Sequence, residues 1–327
     1  MNILYIIGNG FDIAQNIKTS FTDFLKYYTN RSIDGRVAIS SLKASISEDI
    51  NTWADFEKQF GLYTSSFDTI EQYQEVIDDI RDNLEAFLIA EREKFILSPK
   101  KSEKFLKDLF NPVKYLFPSD KNSIHFSDNY PNVNIVTFNY TDTIEKVIGK
   151  DVPFEYSKSM ISSEIVSSLI HVHGTLGETI LFGVNDVSQI ANEDLSKSTT
   201  VQNELIKPVA NYGMHNTINE SVEHLIGTSD LIILFGTSIG ETDNKWWELI
   251  GKRLKSNGAQ LIYFVKSDFV YNSKKAYKYG IECDKQKNFL CARLGISEKS
   301  DILENIVVCP NSEMFQLNQA VDLPSNI

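Results

Sequence analysis

The feature that most constrains the fold is an apolar run near the start of the chain that breaks into two closely spaced glycines. Residues 3–7 are five consecutive large apolar side chains, and Gly8-Asn9-Gly10 follows them directly. An uninterrupted run of this kind is typical of a strand that is covered on both faces. Glycine permits a tight turn and lets the backbone approach a ligand closely. The run therefore predicts the first strand and turn of a nucleotide-binding α/β domain.

The glycine pattern alone is incomplete as a dinucleotide-binding fingerprint. That fingerprint has a third glycine three residues after the second, and this chain has Ile13 at that position. A plain strand exit without a ligand is an equally good interpretation of Gly8-Asn9-Gly10. The missing glycine counts against a hydride-transferring Rossmann enzyme.

Further strand-like segments recur along the chain, with helical patterns between them. The pattern predicts strands at 133–138, 169–173, 179–184, 231–235, 260–265 and 306–309, and helices near 19–28, 144–148, 243–255 and over much of 189–227. Alternation of this kind predicts an α/β fold with a Rossmann-like, mostly parallel sheet and helices on both faces.

A long helical seam interrupts this alternation. Trp53, Phe56 and Phe60 are spaced by three and four residues, and the seam continues from Ile70 to Phe95. We expect one α/β domain over residues 1–327, with a helical insertion at 36–125 and the remaining sheet and helices of the core at 131–309. The insertion is expected to pack on itself and on the sheet, and a lid or partner surface is the alternative.

Composition limits the class of protein. Hydrophobic residues make up 42% of the 327 and charged residues 23%, as in soluble globular proteins. Asp and Glu outnumber Lys and Arg by 44 to 32, and the net charge of −12 argues against a general nucleic-acid binder. No apolar run reaches the roughly 18 residues of a membrane span, and no secretion signal is recognised. We expect a cytoplasmic protein with no membrane partner and three reduced cysteines.

Polar or glycine residues follow four of the predicted strands. They are Gly8-Asn9-Gly10, Asn139-Tyr140, His171-Val172-His173-Gly174 and Gly236-Thr237-Ser238. Because parallel strands open their ligand crevice at their carboxyl ends, these residues are expected to line one pocket. Asp12 follows the glycine turn directly and is expected near a nucleotide bound there. The Asn139 amide can both donate to and accept from a ribose hydroxyl or a water.

Two other chemistries fit part of this pattern. His171 and His173 would share a face of a regular strand and, with acids such as Asp12, could serve a metal-dependent phosphoesterase or nuclease. No third ligand has a suggestive spacing, so no metal site is predicted. Ser238 has the spacing of a serine-hydrolase elbow, but no histidine follows His224, and the chain order of an esterase triad fails. Its hydroxyl is expected to contact a phosphate or ribose instead.

Five motifs together resemble the AbiH-type phage abortive-infection proteins. They are Gly8-Asn9-Gly10-Phe11-Asp12, Trp53-Ala54-Asp55-Phe56-Glu57, Phe138-Asn139-Tyr140-Thr141, His171-Val172-His173-Gly174 and Phe235-Gly236-Thr237-Ser238. Their order also resembles the sirtuin-like NAD-binding fold. The resemblance implies that His173 is the catalytic base and Asn139 its partner amide. It implies nucleotide contacts from Gly8, Asn9, Gly10, Phe11, Asp12, Asn139, Gly236, Thr237 and Ser238.

Departures from the sirtuin pattern narrow the expected activity. Asn9 stands where sirtuins carry Ala, Asp12 where they usually carry Ser, and Thr141 where many related proteins have Asp. The cysteine pairs of the sirtuin zinc module are absent, which argues against protein deacylation. The resemblance implies an NAD-hydrolysing antiviral protein, with NAD as substrate or ligand and no prosthetic group. The resemblance leaves open whether a phage-derived trigger activates the protein and whether the protein forms a homo-oligomer. A non-catalytic nucleotide-sensing or protein-binding module is the alternative to hydrolysis.

Overall fold

A mostly parallel sheet organises the computed structural model, which describes residues 1–32, 35–126, 131–158, 163–214, 217–256, 258–297 and 300–320. Within these residues its strands are β1 (Asn2–Ile7), β2 (Asn132–Thr137), β3 (Phe154–Lys158), β4 (Ser163–His171), β5 (Leu231–Phe235), β6 (Gln260–Val265) and β7 (Ile306–Pro310). The spatial order is β3-β4-β2-β1-β5-β6-β7, and only β3 is antiparallel to its neighbour. The predicted α/β class with a mostly parallel sheet is confirmed.

The strand order places a ligand crevice beside β1. The chain first adds β2 and β4 on one side of β1, and then crosses back to add β5, β6 and β7 on the other. In sheets of this kind, ligands bind at the carboxyl ends of the strands where the order reverses.

Helices account for most of the remaining described residues. They are α1 (Gly10–Ala14), α2 (Phe21–Thr29), α3 (Val37–Glu48), α4 (Phe56–Tyr63), α5 (Ile70–Arg92), α6 (Pro99–Phe110), α7 (Pro118–Ser123), α8 (Thr143–Ile148), α9 (Glu193–Lys197), α10 (Thr199–Leu205), α11 (Lys207–Gly213), α12 (Ile218–Thr228), α13 (Asn244–Lys255) and α14 (Tyr277–Arg293). Across the described residues, none of them is both long enough and apolar enough to span a bilayer.

The buried side chains form a core on each face of the sheet and a third core among helices. Side chains alternate along β1, so Tyr5 lies in one sheet core and Ile6 in the other. The third core joins α2–α5 to residues 180–206 and contains the aromatic rings of Phe24, Phe56 and Phe60. Helix α6 packs on the sheet instead. The helices between residues 37 and 123 therefore serve two different cores.

Three elements differ from the sequence prediction. Residues 179–184 are not a strand, since only Val184 forms an isolated bridge, to Ile206. Ile180, Phe182 and Val184 are buried in the helical core, and this burial produces the strand-like alternation. The short antiparallel edge strand β3 was missed, and β4 covers Ser163–His171 and not 169–173.

Gly10 and Gly236 pack backbone to backbone where β1 and β5 end. A methyl group added to Gly10 would lie 2.5 Å from Cα of Gly236, and one added to Gly236 would lie 2.8 Å from Cα of Gly10. Gly236 also has a φ of 64°, which disfavours any side chain. The two turns can approach this closely only because both residues are glycine.

We expect Gly10→Ala to lower the free energy of unfolding by about 1–3 kcal/mol, because the added methyl group overpacks this backbone contact. Gly227→Ala in α12 is the matched control, since nothing lies within 4 Å of its new methyl group. Because alanine favours a helix more than glycine does, Gly227→Ala is expected to raise the free energy of unfolding by roughly 0.5–1 kcal/mol. Urea unfolding of both variants measures the difference, and equal effects would contradict the packing role of Gly10.

Candidate functional site

A cavity of about 440 Å³ opens at the carboxyl end of the sheet. Its wall includes residues that follow β1, β2, β4 and β5, as well as residues of α4 and the end of α14. Among them are Gly8, Asn9, Asp12, Asp55, Glu57, Lys58, Phe138, Asn139, Thr141, His173, Thr237, Ser238, Glu241, Asp243 and Arg293. The residues that follow four separate strands therefore meet at one cavity.

Three of the predicted nucleotide contacts do not line this cavity. Phe11 is fully buried, and its ring packs edge-on against Phe105 and Phe315, with centroids 5.6 and 5.7 Å away. Gly10 and Gly236 are used in the backbone contact described above. These three positions serve the packing of the two turns.

The backbone N–H groups of the glycine turn also donate within the protein. The N–H of Gly8 donates to the carbonyl oxygen of Phe235 at 3.0 Å, and that of Gly10 donates to the carbonyl oxygen of Gly236 at 2.9 Å. The N–H of Phe11 donates to the carbonyl oxygen of Gly8 at 3.0 Å. These three N–H groups are therefore not available to a pyrophosphate.

Asn139 presents an unsatisfied amide to the cavity. Its side chain is 3% exposed, and neither Oδ1 nor Nδ2 has a hydrogen-bond partner among the described residues. Its backbone is held, because its N–H donates to Thr137 Oγ1 at 3.1 Å and its carbonyl oxygen lies 2.7 Å from His171 Nδ1. An unpaired buried polar group costs about 1–3 kcal/mol. The free amide is therefore suited to a ligand that both donates and accepts.

The His173 ring is fixed at the wall of the same cavity. It is 4% exposed, its Nε2 lies 2.9 Å from Asp243 Oδ1, and it stacks on Phe138 at a centroid distance of 5.0 Å. Asp243 engages only Nε2, so Nδ1 is the nitrogen that can take a proton when Nε2 carries its hydrogen. The arrangement orients an imidazole base at the cavity wall.

His171 does not share this environment. Strand β4 ends at His171, so the two histidines are not on one face of a regular strand. The ring nitrogens of His171 lie 2.7 Å from the carbonyl oxygen of Asn139 and 2.6 Å from Glu145 Oε1. Burial by itself would lower the pKa of His171, but these partners, Glu145 above all, raise it. Within the described residues, no group of three or more His, Cys, Asp or Glu side chains is arranged to hold a metal ion.

A buried chain of charges lies behind His173. Lys207 Nζ is 2.9 Å from Asp243 Oδ1 and 2.9 Å from Glu57 Oε2. Glu57 also accepts from Thr242 Oγ1 at 2.9 Å and from the N–H of Gly183 at 3.0 Å. Lys207 is 4% exposed on its side chain. The chain links α4, α11 and the turn after β5 through side chains that are largely buried.

The pKa values in this chain favour the charged forms. Burial alone would raise the pKa of Asp243, but Lys207 and His173 hold it far below its usual range. Burial alone would lower the pKa of Lys207, and the two carboxylates raise it instead. The sequence pattern did not indicate that Lys207, Glu57 and Asp243 form a buried charge network. The only sequence signal was that Glu57 closes the motif Trp53–Glu57.

Asp12 is a second buried acid at the cavity. It is 1% exposed, and one oxygen accepts from Thr141 Oγ1 at 2.6 Å, whereas Oδ1 has no partner among the described residues. Burial raises the pKa of Asp12 to about 6. The folded state therefore binds this proton more tightly than the unfolded chain does, and the free energy of unfolding falls as the pH rises from about 4 to 6.

We expect the free energy of unfolding of wild type to fall by about 2 kcal/mol relative to that of Asp12→Asn between pH 4 and pH 7, because only the wild type must ionise this buried group. Urea unfolding across this range measures it. The exposed acid Asp284 supplies the control, since Asp284→Asn is expected to stay within about 0.5 kcal/mol of wild type throughout. A pH-independent difference for Asp12→Asn would show that Asp12 is not desolvated.

Comparison with known proteins identifies the family of this chain. The model of the family described as "Bacteriophage abortive infection AbiH" matches residues 4–265. The chain belongs to the AbiH family. No curated protein matches its sequence. Membership implies a role in phage abortive infection, and the match includes Asn139, His173, Lys207 and Asp243, whereas Arg293 lies beyond it.

Proposed function

We propose that this AbiH-family chain acts in abortive infection by hydrolysing the nicotinamide glycosidic bond of NAD on a sirtuin-like core. The observation that carries the proposal is the unpaired, buried amide of Asn139, which lines the same cavity as a histidine held by a carboxylate. A ribose has hydroxyl groups that both donate and accept, and such groups would satisfy this amide.

The reaction requires groups that place the ribose and direct a water, and we assign both roles to residues that line the cavity. The bond between C1′ of the ribose and N1 of the nicotinamide breaks, and its electron pair stays with N1, which leaves as neutral nicotinamide. Water binds C1′ through its oxygen and loses a proton, so the products are nicotinamide, ADP-ribose and H⁺. Because the transition state resembles an oxocarbenium ion, the protein has to place the ribose and direct the water.

Each side chain has a distinct role in this proposal. His173 takes the proton from the water or from a ribose hydroxyl, a step suited to an imidazole near neutral pH. Asn139 orients that hydroxyl or water. Asp243 is a positioning residue, because it holds Nε2 of His173 and stabilises the imidazolium that forms. Gly8, Asn9, Thr237 and Ser238 line the cavity and are proposed to contact the nucleotide.

A phage-infected culture tests the proposal under conditions in which the natural trigger is present. We expect NAD to fall and nicotinamide and ADP-ribose to rise in cells that carry the wild-type protein, and not in cells that carry Asn139→Ala. The control is Asn203→Ala, which changes an exposed asparagine of α10 and is expected to behave as wild type does. If protection persists while NAD stays intact, the protein acts as a nucleotide-sensing or protein-binding module and hydrolysis is excluded.

A further inference from the structure

Two cationic side chains share one carboxylate at the edge of the cavity. Lys58 Nζ lies 2.7 Å from Oε2 of Glu241, and Arg293 Nη1 lies 2.9 Å from Oε1 of the same group. The side chains of Lys58, Glu241 and Arg293 are 41%, 39% and 30% exposed. All three line the cavity. This trio therefore lies at the boundary between the cavity and solvent.

The charges of the cavity make this trio the favoured place for an anion. Within the described residues, the acids that line the cavity are Asp12, Asp55, Glu57, Glu241 and Asp243, and the Lys and Arg side chains that line it are Lys58 and Arg293. A phosphate beside any of the other four acids would be repelled by its carboxylate, whereas Lys58 and Arg293 attract it. The N–H groups of Gly8, Gly10 and Phe11 are bonded within the protein.

We propose that Lys58 and Arg293 form a pyrophosphate subsite and that Glu241 occupies it until an anionic ligand displaces its carboxylate. A phosphoryl group, like a carboxylate, presents two anionic oxygens on one atom, so it can bond both cations in the same way. The subsite depends only on these three side chains. The identity of its ligand as the pyrophosphate of NAD rests on the proposed function.

The energies favour the exchange. Solvent-exposed ion pairs contribute little to stability, so releasing Glu241 to solvent costs little. One carboxylate neutralises only one of the two cations, whereas a pyrophosphate carries enough negative charge for both. Glu241 therefore acts as a weak internal competitor that selects ligands with more charge than a carboxylate.

The subsite adjoins the residues that hold His173. Glu241, Thr242 and Asp243 form one short 3-10 turn. Thr242 donates to Glu57, and Asp243 is bonded to His173. A ligand that displaces Glu241 therefore acts two residues away from the carboxylate that positions the base.

Titration calorimetry with inorganic pyrophosphate, inorganic phosphate and ADP-ribose tests the subsite. It is run at one fixed ionic strength, because salt screens exposed charges. We expect Glu241→Gln to bind pyrophosphate and ADP-ribose roughly tenfold more tightly than wild type, and the pair Lys58→Met/Arg293→Met to bind them at least roughly tenfold more weakly. The affinity for inorganic phosphate is expected to increase by a smaller factor in Glu241→Gln.

The control is Glu103→Gln, which removes the same charge from an exposed ion pair with Lys107 on α6. This variant is expected to bind pyrophosphate and ADP-ribose with the same affinity as wild type. Thermal unfolding establishes that each variant is folded. Equal binding by wild type, Glu241→Gln and the double variant would overturn the subsite, as would the lack of pyrophosphate binding by both wild type and Glu241→Gln.

The same variants separate this inference from the proposed hydrolysis. If the double variant still consumes NAD in infected cells as wild type does, the subsite is wrong and hydrolysis stands. If Glu241→Gln gains affinity for pyrophosphate but wild-type cells keep their NAD during infection, the subsite stands and hydrolysis is wrong.

Discussion

Replacing Lys207 by Met is expected to lower the free energy of unfolding by about 3–5 kcal/mol. The substitution leaves Glu57 and Asp243 buried without the cation that lies 2.9 Å from each of them. An uncompensated buried charge is expensive, because the folded protein cannot offer it the solvation of water. Urea unfolding at neutral pH, with linear extrapolation to water, measures the loss.

A matched exposed lysine shows whether burial is the cause. Lys107 pairs with Glu103 on α6, and both side chains are more than half exposed. Lys107→Met is expected to change stability by no more than about 1 kcal/mol. Combining Lys207→Met with Glu57→Gln and Asp243→Asn removes all three charges and is expected to recover part of the loss. A loss no larger for Lys207→Met than for Lys107→Met would contradict the buried charge network.

Replacing His173 by Ala is expected to reduce NAD hydrolysis by about 10² to 10⁴ fold, the usual contribution of a general base. Nicotinamide and ADP-ribose are separated by chromatography after NAD is added to extracts of infected cells, in which the trigger is present. ADP-ribose binding is expected to persist, because the substitution removes a base and leaves the subsite of Lys58 and Arg293 intact. His224→Ala on the exposed face of α12 is the control.

Asp243→Asn separates positioning from proton transfer. His173 remains, but its Nε2 loses the carboxylate that fixes its tautomer and stabilises its charged form. Hydrolysis is expected to fall through kcat, with the KM for NAD little changed, because the base loses its orientation while the residues that contact the ligand remain. Wild-type turnover by His173→Ala would remove His173 from the mechanism. A rise in the KM for NAD as large as the fall in kcat for Asp243→Asn would indicate a purely structural role.

The sequence by itself determined most of the sheet and the residues that follow its strands. Hydrophobic patterning is local, and it therefore located β1, β2, β5, β6 and β7. Asn139 and His173 could be selected because polar residues after parallel strands meet at one edge. The pattern failed at residues 179–184, since burial against helices and burial in a sheet leave the same apolar alternation.

Only the tertiary structure decided which groups work together at the cavity. Lys207 and Glu57 are 150 residues apart, and no spacing rule connects them. The requirement for glycine at Gly10 and Gly236 also arises from a contact between two distant turns, whereas the sequence indicated a contact with a ligand. Burial and charge pairing depend on neighbours in space. For that reason the pattern along the chain located the cavity. The fold alone placed Lys207 behind His173, and it alone placed the Glu241 carboxylate between Lys58 and Arg293 at the edge of the cavity.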